Sequence, residues 1–410
     1  MILITKEEAK HLSINNLKRY RLKKMMLSYL YEERFVSAAE VSHKISVSPP
    51  TAKTLLDELI AIGVVMTSGI GDSRGGRKPA LYSIVAGAFN IITIGIEHHS
   101  TKMAIFNAHN ERITEIRNFQ ANVNDPDLTE KLHKVSIELV REAGIDDSKI
   151  VAVGVYMPGL VDSTTGINYS IKNEAYHNIG KALKKRFGKI IYIDNDARMQ
   201  ALGEFIFGKA KDSRNALVIN WSWGLGLGMI LNGQLYGGST GLAGEFGHIK
   251  LDENGILCYC GKRGCLETIA SSQSIVNMAI DGIDNGKISQ LTTRFKDHVT
   301  ALTPEDVVSA ARAGDEFSIS ILNKVGNSLG KGLAVLIQLL NPEVIVLGGP
   351  ISKAQQFVLN PIQQTLNQDC LEKISSNVRI EISQIDEHSG LLGLCARLFQ
   401  KVLGDVTEVK

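Results

Sequence analysis

Hydrophobic positions in the first 84 residues recur at helical spacing three times, and then the period changes. From about Leu17 to Leu30 the apolar face is Leu22, Met25, Met26, Tyr29 and Leu30. Ser37-Ala38-Ala39-Glu40 is a capping box that starts a short helix through about Lys44. Ile45-Ser46-Val47 makes a turn. Ser48 then caps a third helix with Pro49 at its first position, where a missing N–H costs nothing. Ala52, Leu55, Leu56, Leu59 and Ile60 line one face of that helix, and Gly63 closes it. Val64-Val65-Met66 and Ala80–Ile84 follow as two strands around the glycine-rich tip 69–79.

Beyond residue 88 the pattern alternates between the two periods. Ile91–Ile96 and Met103–Phe106 predict a hairpin; Val151–Tyr156 and Ile190–Ile193 predict buried strands; a helix spans about Arg198–Phe207. Ala216–Asn220 and Gly226–Leu231 form a further strand pair, Val325–Leu340 a helix, Val344–Leu347 a strand, and a last helix begins near Gly390. The polar stretch 281–300 is expected to be a surface excursion. Strands alternating with helices indicate an α/β fold.

Composition changes this picture little. The chain has 410 residues, 44% hydrophobic and 21% charged, enough for about three domains' worth of material. No apolar run reaches membrane-spanning length, and the N-terminus lacks the charged head and long apolar stretch of a secretory signal. Five cysteines, three of them clustered, suit a reducing compartment, so a cytoplasmic location is expected.

Charge changes it more. Residues 1–84 carry 13 basic and 8 acidic side chains; the remainder carries 32 and 35. A small basic head on a slightly acidic body fits nucleic-acid binding. Three helices with a short turn suggest a helix-turn-helix. Its third helix starts at Ser48 and turns Pro50, Thr51, Lys53 and Thr54 outward, small and polar enough for a major groove. Arg74, Arg77 and Lys78 in the following hairpin tip suit phosphates or a minor groove. A three-helix protein-interaction module is the competing reading.

Residues 244–267 concentrate the chemistry. Cys258, Cys260 and Cys265 follow His248 by ten, twelve and seventeen residues. Thiolates at C-x-C-x4-C spacing with a nearby imidazole are what a closed, structural, tetrahedral zinc site needs. Ordinary buried cysteines or disulfides are the alternatives.

Five motifs carry a family resemblance over nearly the whole length: PGLVD at 158–162, NDA at 195–197, GLAGEFGH at 241–248, CYCGKRGCLE at 258–267 and NPEVIVLGG at 341–349. The chain resembles the ROK group, named from repressors, open reading frames and kinases. The head, ending in GGRKP at 75–79, is similar to that of the group's sugar-responsive repressors, of the glucose and N-acetylglucosamine type. The resemblance implies an actin-like, hexokinase-like two-lobed body behind a winged helix-turn-helix. The expected division is a head over 1–84, a first lobe over 88–200 completed by 390–410, and a second lobe over 201–389. It also implies zinc on His248, Cys258, Cys260 and Cys265, and a sugar against Asn195, Asp196, Glu245, His248, Glu267 and Gly159. One ring nitrogen of His248 would face zinc and the other would be free for a sugar hydroxyl.

Two loops decide between catalyst and regulator. Family kinases carry D-x-G-G-T-K where this chain has Glu97-His98-His99-Ser100-Thr101-Lys102, and G-T-G-x-G where it has Ser222-Trp223-Gly224-Leu225-Gly226. Side chains replace bare backbone that would let N–H groups approach phosphate. Asp196 stands at the position of the kinase base, but a base without a held phosphoryl donor does not catalyse transfer. The expectation is therefore a non-catalytic repressor of sugar-utilisation genes with operator DNA and a sugar or sugar phosphate as partners. It would act as a homodimer or homotetramer, with a sugar-transport protein as a further candidate partner and no membrane. A sugar kinase with a regulatory head is the alternative.

Overall fold

The computed structural model describes residues 11–71, 78–98, 100–173 and 176–404. The head contains α1 (Ile14–Glu33), α2 (Ala38–Lys44) and α3 (Pro49–Ala61). Both halves of the Ser37/Glu40 capping box are formed, and the Ser48 hydroxyl accepts from Thr51 N–H. Strands β1 (Val36–Ser37), β2 (Val65–Ile70) and β3 (Ala80–Ile84) make an antiparallel wing in the order β1-β3-β2. The two-residue β1 carries too little pattern to be read from sequence.

The first helix differs from expectation in its length and in its buried face. Met25 is 41% exposed, whereas Leu27 is fully buried beside Met26 and Leu30. The cause is a second partner. The C-terminal helix also packs against α1, and its side chains share the cluster that buries Met26, Leu27 and Leu30.

The body repeats one topology twice. The first sheet contains β4 (Asn90–Ile96), β5 (Thr101–Asn107), β6 (Arg117–Phe119), β7 (Ile150–Met157) and, beyond the short pair β8 (Val161–Asp162) and β9 (Ile167–Asn168), β10 (Ile190–Asn195). The second contains β11 (Ala216–Trp221), β12 (Leu225–Leu231), β13 (Gln234–Leu235), β14 (Val344–Gly348) and β15 (Arg379–Ile382). Their orders, β6-β5-β4-β7-β10 and β13-β12-β11-β14-β15, are the same: a three-strand meander whose first strand continues in parallel into two later ones. This is the duplicated α/β arrangement of the actin and hexokinase folds.

Helices α4 (Leu128–Glu142) and α5 (Ile179–Phe187) flank the first sheet, and α6 (Asp196–Phe207) runs from its end towards the second. The second sheet is flanked by α7 (Ser272–Asp284), α8 (Pro304–Arg312), α9 (Glu316–Leu340) and α10 (Gln356–Asp369). α9 starts nine residues before the expected Val325, capped by the Asp315 side chain. The stretch 281–300 is a correction to the expected surface excursion. Leu291 and Phe295 join the second core, and the buried Ser289 hydroxyl bonds Asp315, so a polar sequence hides two anchoring side chains.

The last helix, α11 (Asp386–Gly404), returns to the first lobe and packs on α6, β7, β4 and α1. Leu394, Leu398, Phe399 and Val402 form one continuous core with Met26, Leu27 and Leu30 of the head. Tyr31 and Phe399 rings lie 5.4 Å apart, and Tyr31 donates to Asn110 Oδ1 at 2.7 Å. Head and first lobe are thus fused by packing, and cutting the chain at residue 84 would expose that core. Phe399→Ala should destabilise the protein by about 3–5 kcal/mol. Calorimetry should show head and first lobe losing stability in one transition; a head that melts separately would contradict the shared core.

Candidate functional site

The ends of β10 and β11 meet between the two sheets, where Asp196 is hydrogen-bonded to Asn220, and this junction is the candidate cleft. At the end of β7 the chain turns at Gly159, with φ of 100°, and a Cβ there would lie 2.7 Å from Ser170 Cβ. Asn168, fully buried, donates to Pro158 carbonyl at 3.0 Å and accepts from Ser170 N–H at 2.9 Å. These residues brace the turn, a role that sequence reasoning left unassigned.

At the end of β10, Asn195 caps α6. Its Oδ1 accepts from Arg198 N–H at 3.2 Å and its Nδ2 donates to Gly159 carbonyl at 3.1 Å, which leaves one amide hydrogen for a ligand. Asp196 opens the helix. One carboxylate oxygen accepts from Ala197 N–H at 2.9 Å, the other from Asn220 Nδ2 at 3.0 Å. Asn220 belongs to β11, so this bond spans the two lobes, and its Oδ1 is buried without a partner. Burial, with Glu97 and Glu245 nearby, raises the Asp196 carboxyl to about 6. Arg198 is a second bridge that the motifs did not reveal: its guanidinium donates to Gly241 carbonyl at 2.7 Å and pairs with the buried Asp194 at 3.4 Å.

Glu245, His248 and Glu267 line the opposite side. Burial raises the Glu245 carboxyl, with Glu267 adding to the effect and His248 opposing it. Glu267 accepts from Leu225 N–H at 2.9 Å and so ties down the loop before β12. His248 Nε2 lies 3.9 Å from Glu245 and 3.1 Å from the Tyr259 hydroxyl. Tyr259 therefore stands where a sugar hydroxyl is expected to meet a free ring nitrogen.

The other face of His248 meets the thiols. The ligand atoms of His248, Cys258, Cys260 and Cys265 all lie within 4.8 Å of one another. His248 Nδ1 is 3.7 Å from Cys258 Sγ, and Cys260 and Cys265 sulfurs are 3.6 Å apart. A disulfide would need about 2.05 Å. A tetrahedron with bonds of about 2.0–2.3 Å has edges of about 3.3–3.8 Å, so the donor set fits a four-coordinate soft-to-borderline metal ion.

The two loops that depart from the kinase motifs meet through their rings. Trp223, between β11 and β12, stacks on His98, after β4, with centroids 4.8 Å apart and planes within 12°. His99 lies outside the described residues.

On the head, Pro50, Thr51, Lys53 and Thr54 are exposed on one face of α3. Ser48 and Thr51 hydroxyls bond each other at 2.8 Å, Thr54 bonds Pro50 carbonyl, and Lys53 pairs with Asp57 and sits over the Tyr82 ring. Lys78 is exposed on the wing; Arg74 and Arg77 lie outside the described residues. No helix among the described residues is long and apolar enough to cross a membrane.

Residues 92–401 match the ROK family. The chain belongs to the ROK family. This ROK protein is 27% identical over 391 residues to the xylose repressor of Caldicellulosiruptor bescii, covering 93% of this chain and 96% of that one. It is 36% identical over 249 residues to a glucokinase of Halalkalibacterium halodurans, covering 60% of this chain and 75% of the other. The crystal structure of a ROK family transcriptional regulator, a homologue of the E. coli MLC protein, superposes with a TM-score of 0.78 at 26% identity, covering 93% and 97%.

The raised Asp196 carboxyl has a stability consequence. A folded value near 6 against 3.8 unfolded contributes stability below pH 3.8 that is lost as pH rises through 6. Asp196→Asn should therefore gain on the order of 1–2 kcal/mol over wild type at pH 8 and nothing near pH 4. Melting temperatures across that range measure it; a gain independent of pH would contradict burial of the charged carboxylate as the cause.

Proposed function

We propose that this ROK protein is a DNA-binding transcriptional regulator, a repressor of sugar-utilisation genes whose effector binds the interlobe cleft. The observation that supports the reading most is the stack of His98 on Trp223 between the two loops that depart from the kinase motifs, in a chain whose exposed α3 face belongs to a head packed on the same body. The names and near-full coverage of the xylose repressor and the MLC homologue support it; the glucokinase match spans only 60% of the chain.

Asn195, Asp196, Glu245, His248, Glu267 and the Gly159 backbone serve as sugar ligands, since hydroxyls pair with carboxylates and amides in register. The effector is a sugar or sugar phosphate. The carboxylates of Glu97, Asp196, Glu245 and Glu267 favour a neutral polyol over an anion. His248, Cys258, Cys260 and Cys265 hold structural Zn2+, whose binding supplies folding energy to the loop 244–267. In a cytoplasmic homodimer or homotetramer, two heads, each exposing Pro50, Thr51, Lys53 and Thr54, bind a two-fold operator. Arg74, Arg77 and Lys78 hold phosphates. Effector binding closes the lobes and changes the spacing of the heads; the ligand shifts that equilibrium by its preference for one spacing. A sugar-transport protein is the alternative partner.

A sugar kinase remains the second reading, favoured by Asp196 at the base position with a carboxyl near 6. A coupled ATPase assay with D-glucose, D-xylose and N-acetylglucosamine separates the two, and turnover on any of them would overturn the regulator.

Binding to the gene's own upstream DNA should weaken steeply with salt. Lys53→Ala should lower the log–log slope by about 0.9. Binding unaffected by both salt and the substitution would refute the head assignment. Cys258→Ser should lose bound metal and lower the melting temperature; metal analysis that finds no zinc in the wild type would refute that part.

A further inference from the structure

We propose that the stacked rings of His98 and Trp223 form a latch between the lobes, which in the absence of any nucleotide favours the closed arrangement that effector binding completes. The functional meaning of the latch rests on the effector-cleft reading above; its existence does not.

The two rings belong to different lobes. His98 sits on the turn between β4 and β5, and Trp223 on the turn between β11 and β12. Each turn is tied down within its own lobe. Glu97 N–H donates to Ser100 carbonyl at 2.8 Å, and the Glu97 carboxylate pairs with Lys102 at 2.9 Å. Across the cleft, Ser222 and Trp223 carbonyls accept from Ser272 and Gln273 at the start of α7, at 3.0 and 3.4 Å. Glu267 holds Leu225 N–H on the other flank. Neither ring can travel far from its lobe, so the stack, at 4.8 Å and 12°, exists only while the lobes stand at this separation.

These are the two turns whose sequences depart from the kinase motifs. Here each turn contributes a ring and the rings meet each other. An offset aromatic pair favours its bound arrangement by about 2- to 12-fold. Because a ligand for the closed form binds in proportion to the closed fraction, the latch also sets effector affinity.

The test reads the distance between lobes in the full-length protein without sugar or DNA. Spin labels go on p-acetylphenylalanine at Lys134 and Lys331, both exposed, one in each lobe, with native cysteines untouched and labelled chain diluted in unlabelled. Wild type should give a distribution weighted towards the shorter, closed distance. His98→Ala and Trp223→Ala should each shift it to longer distances, with the closed population falling about 2- to 12-fold, and the double variant should add nothing further. Trp223→Phe, which keeps a ring, should retain most of the closed population. If Trp223→Ala does not fold, His98→Ala on its exposed turn carries the test. Distributions that match wild type in the alanine variants would overturn the latch. A protein that turned out to phosphorylate sugars would leave this measurement standing.

Discussion

The crossing of α6 and α11 is the contact on which the rest depends. A Cβ at Gly393 would lie 2.6 Å from Gly203 N, and Gly203 packs equally tightly on the Ser389 backbone. Only hydrogen at both positions lets the two helices approach this closely. α6 begins at Asp196 in the cleft; α11 carries Leu398 and Phe399 into the head. Gly390, near the other end of α11, lies under Tyr156, whose ring neighbours Glu97 and Asp196. The cleft and the head are therefore joined, among the described residues, through two closely packed helices. Close-packed interiors pass displacement along instead of absorbing it, so a shift of α6 moves α11, and α11 moves α1.

The same constraint explains what the sequence discloses and what it withholds. Strand runs such as Ile91–Ile96 and Val344–Leu347 are legible because fully buried strands are continuous in apolar residues. Capping at Ser37 and Ser48 is legible because it is local chemistry. The buried stripe of α1 is not, since it depends on a partner at the far end of the chain. Nor is the repeat of one sheet topology in the two lobes, which lies in pairing order and leaves no trace in spacing.

The site follows the same rule. The thiol cluster and the acids beside glycines stand in compact motifs, and they converge in space. Asn220 and Arg198 stand outside those motifs, and Tyr259 sits inside one with no role that spacing could assign, yet each touches a residue that the motifs single out. Asn220 offers one faint signal: an amide near the end of an otherwise apolar strand, just before the loop that replaces bare backbone with Trp223.

Asp196 shows how far the fold tolerates a cost at this point. A carboxylate in the first turn of a helix, accepting two N–H groups, should have its pKa lowered. Instead it is raised to about 6, so burial among Glu97 and Glu245 outweighs both stabilising contacts. A molecule that donates hydroxyls to this carboxylate relieves the penalty, and it does so at the start of α6. The free energy released by such a ligand thus appears where the helix pair leading to the head begins, and a ligand lacking those donors could occupy the cleft without altering the position of α6.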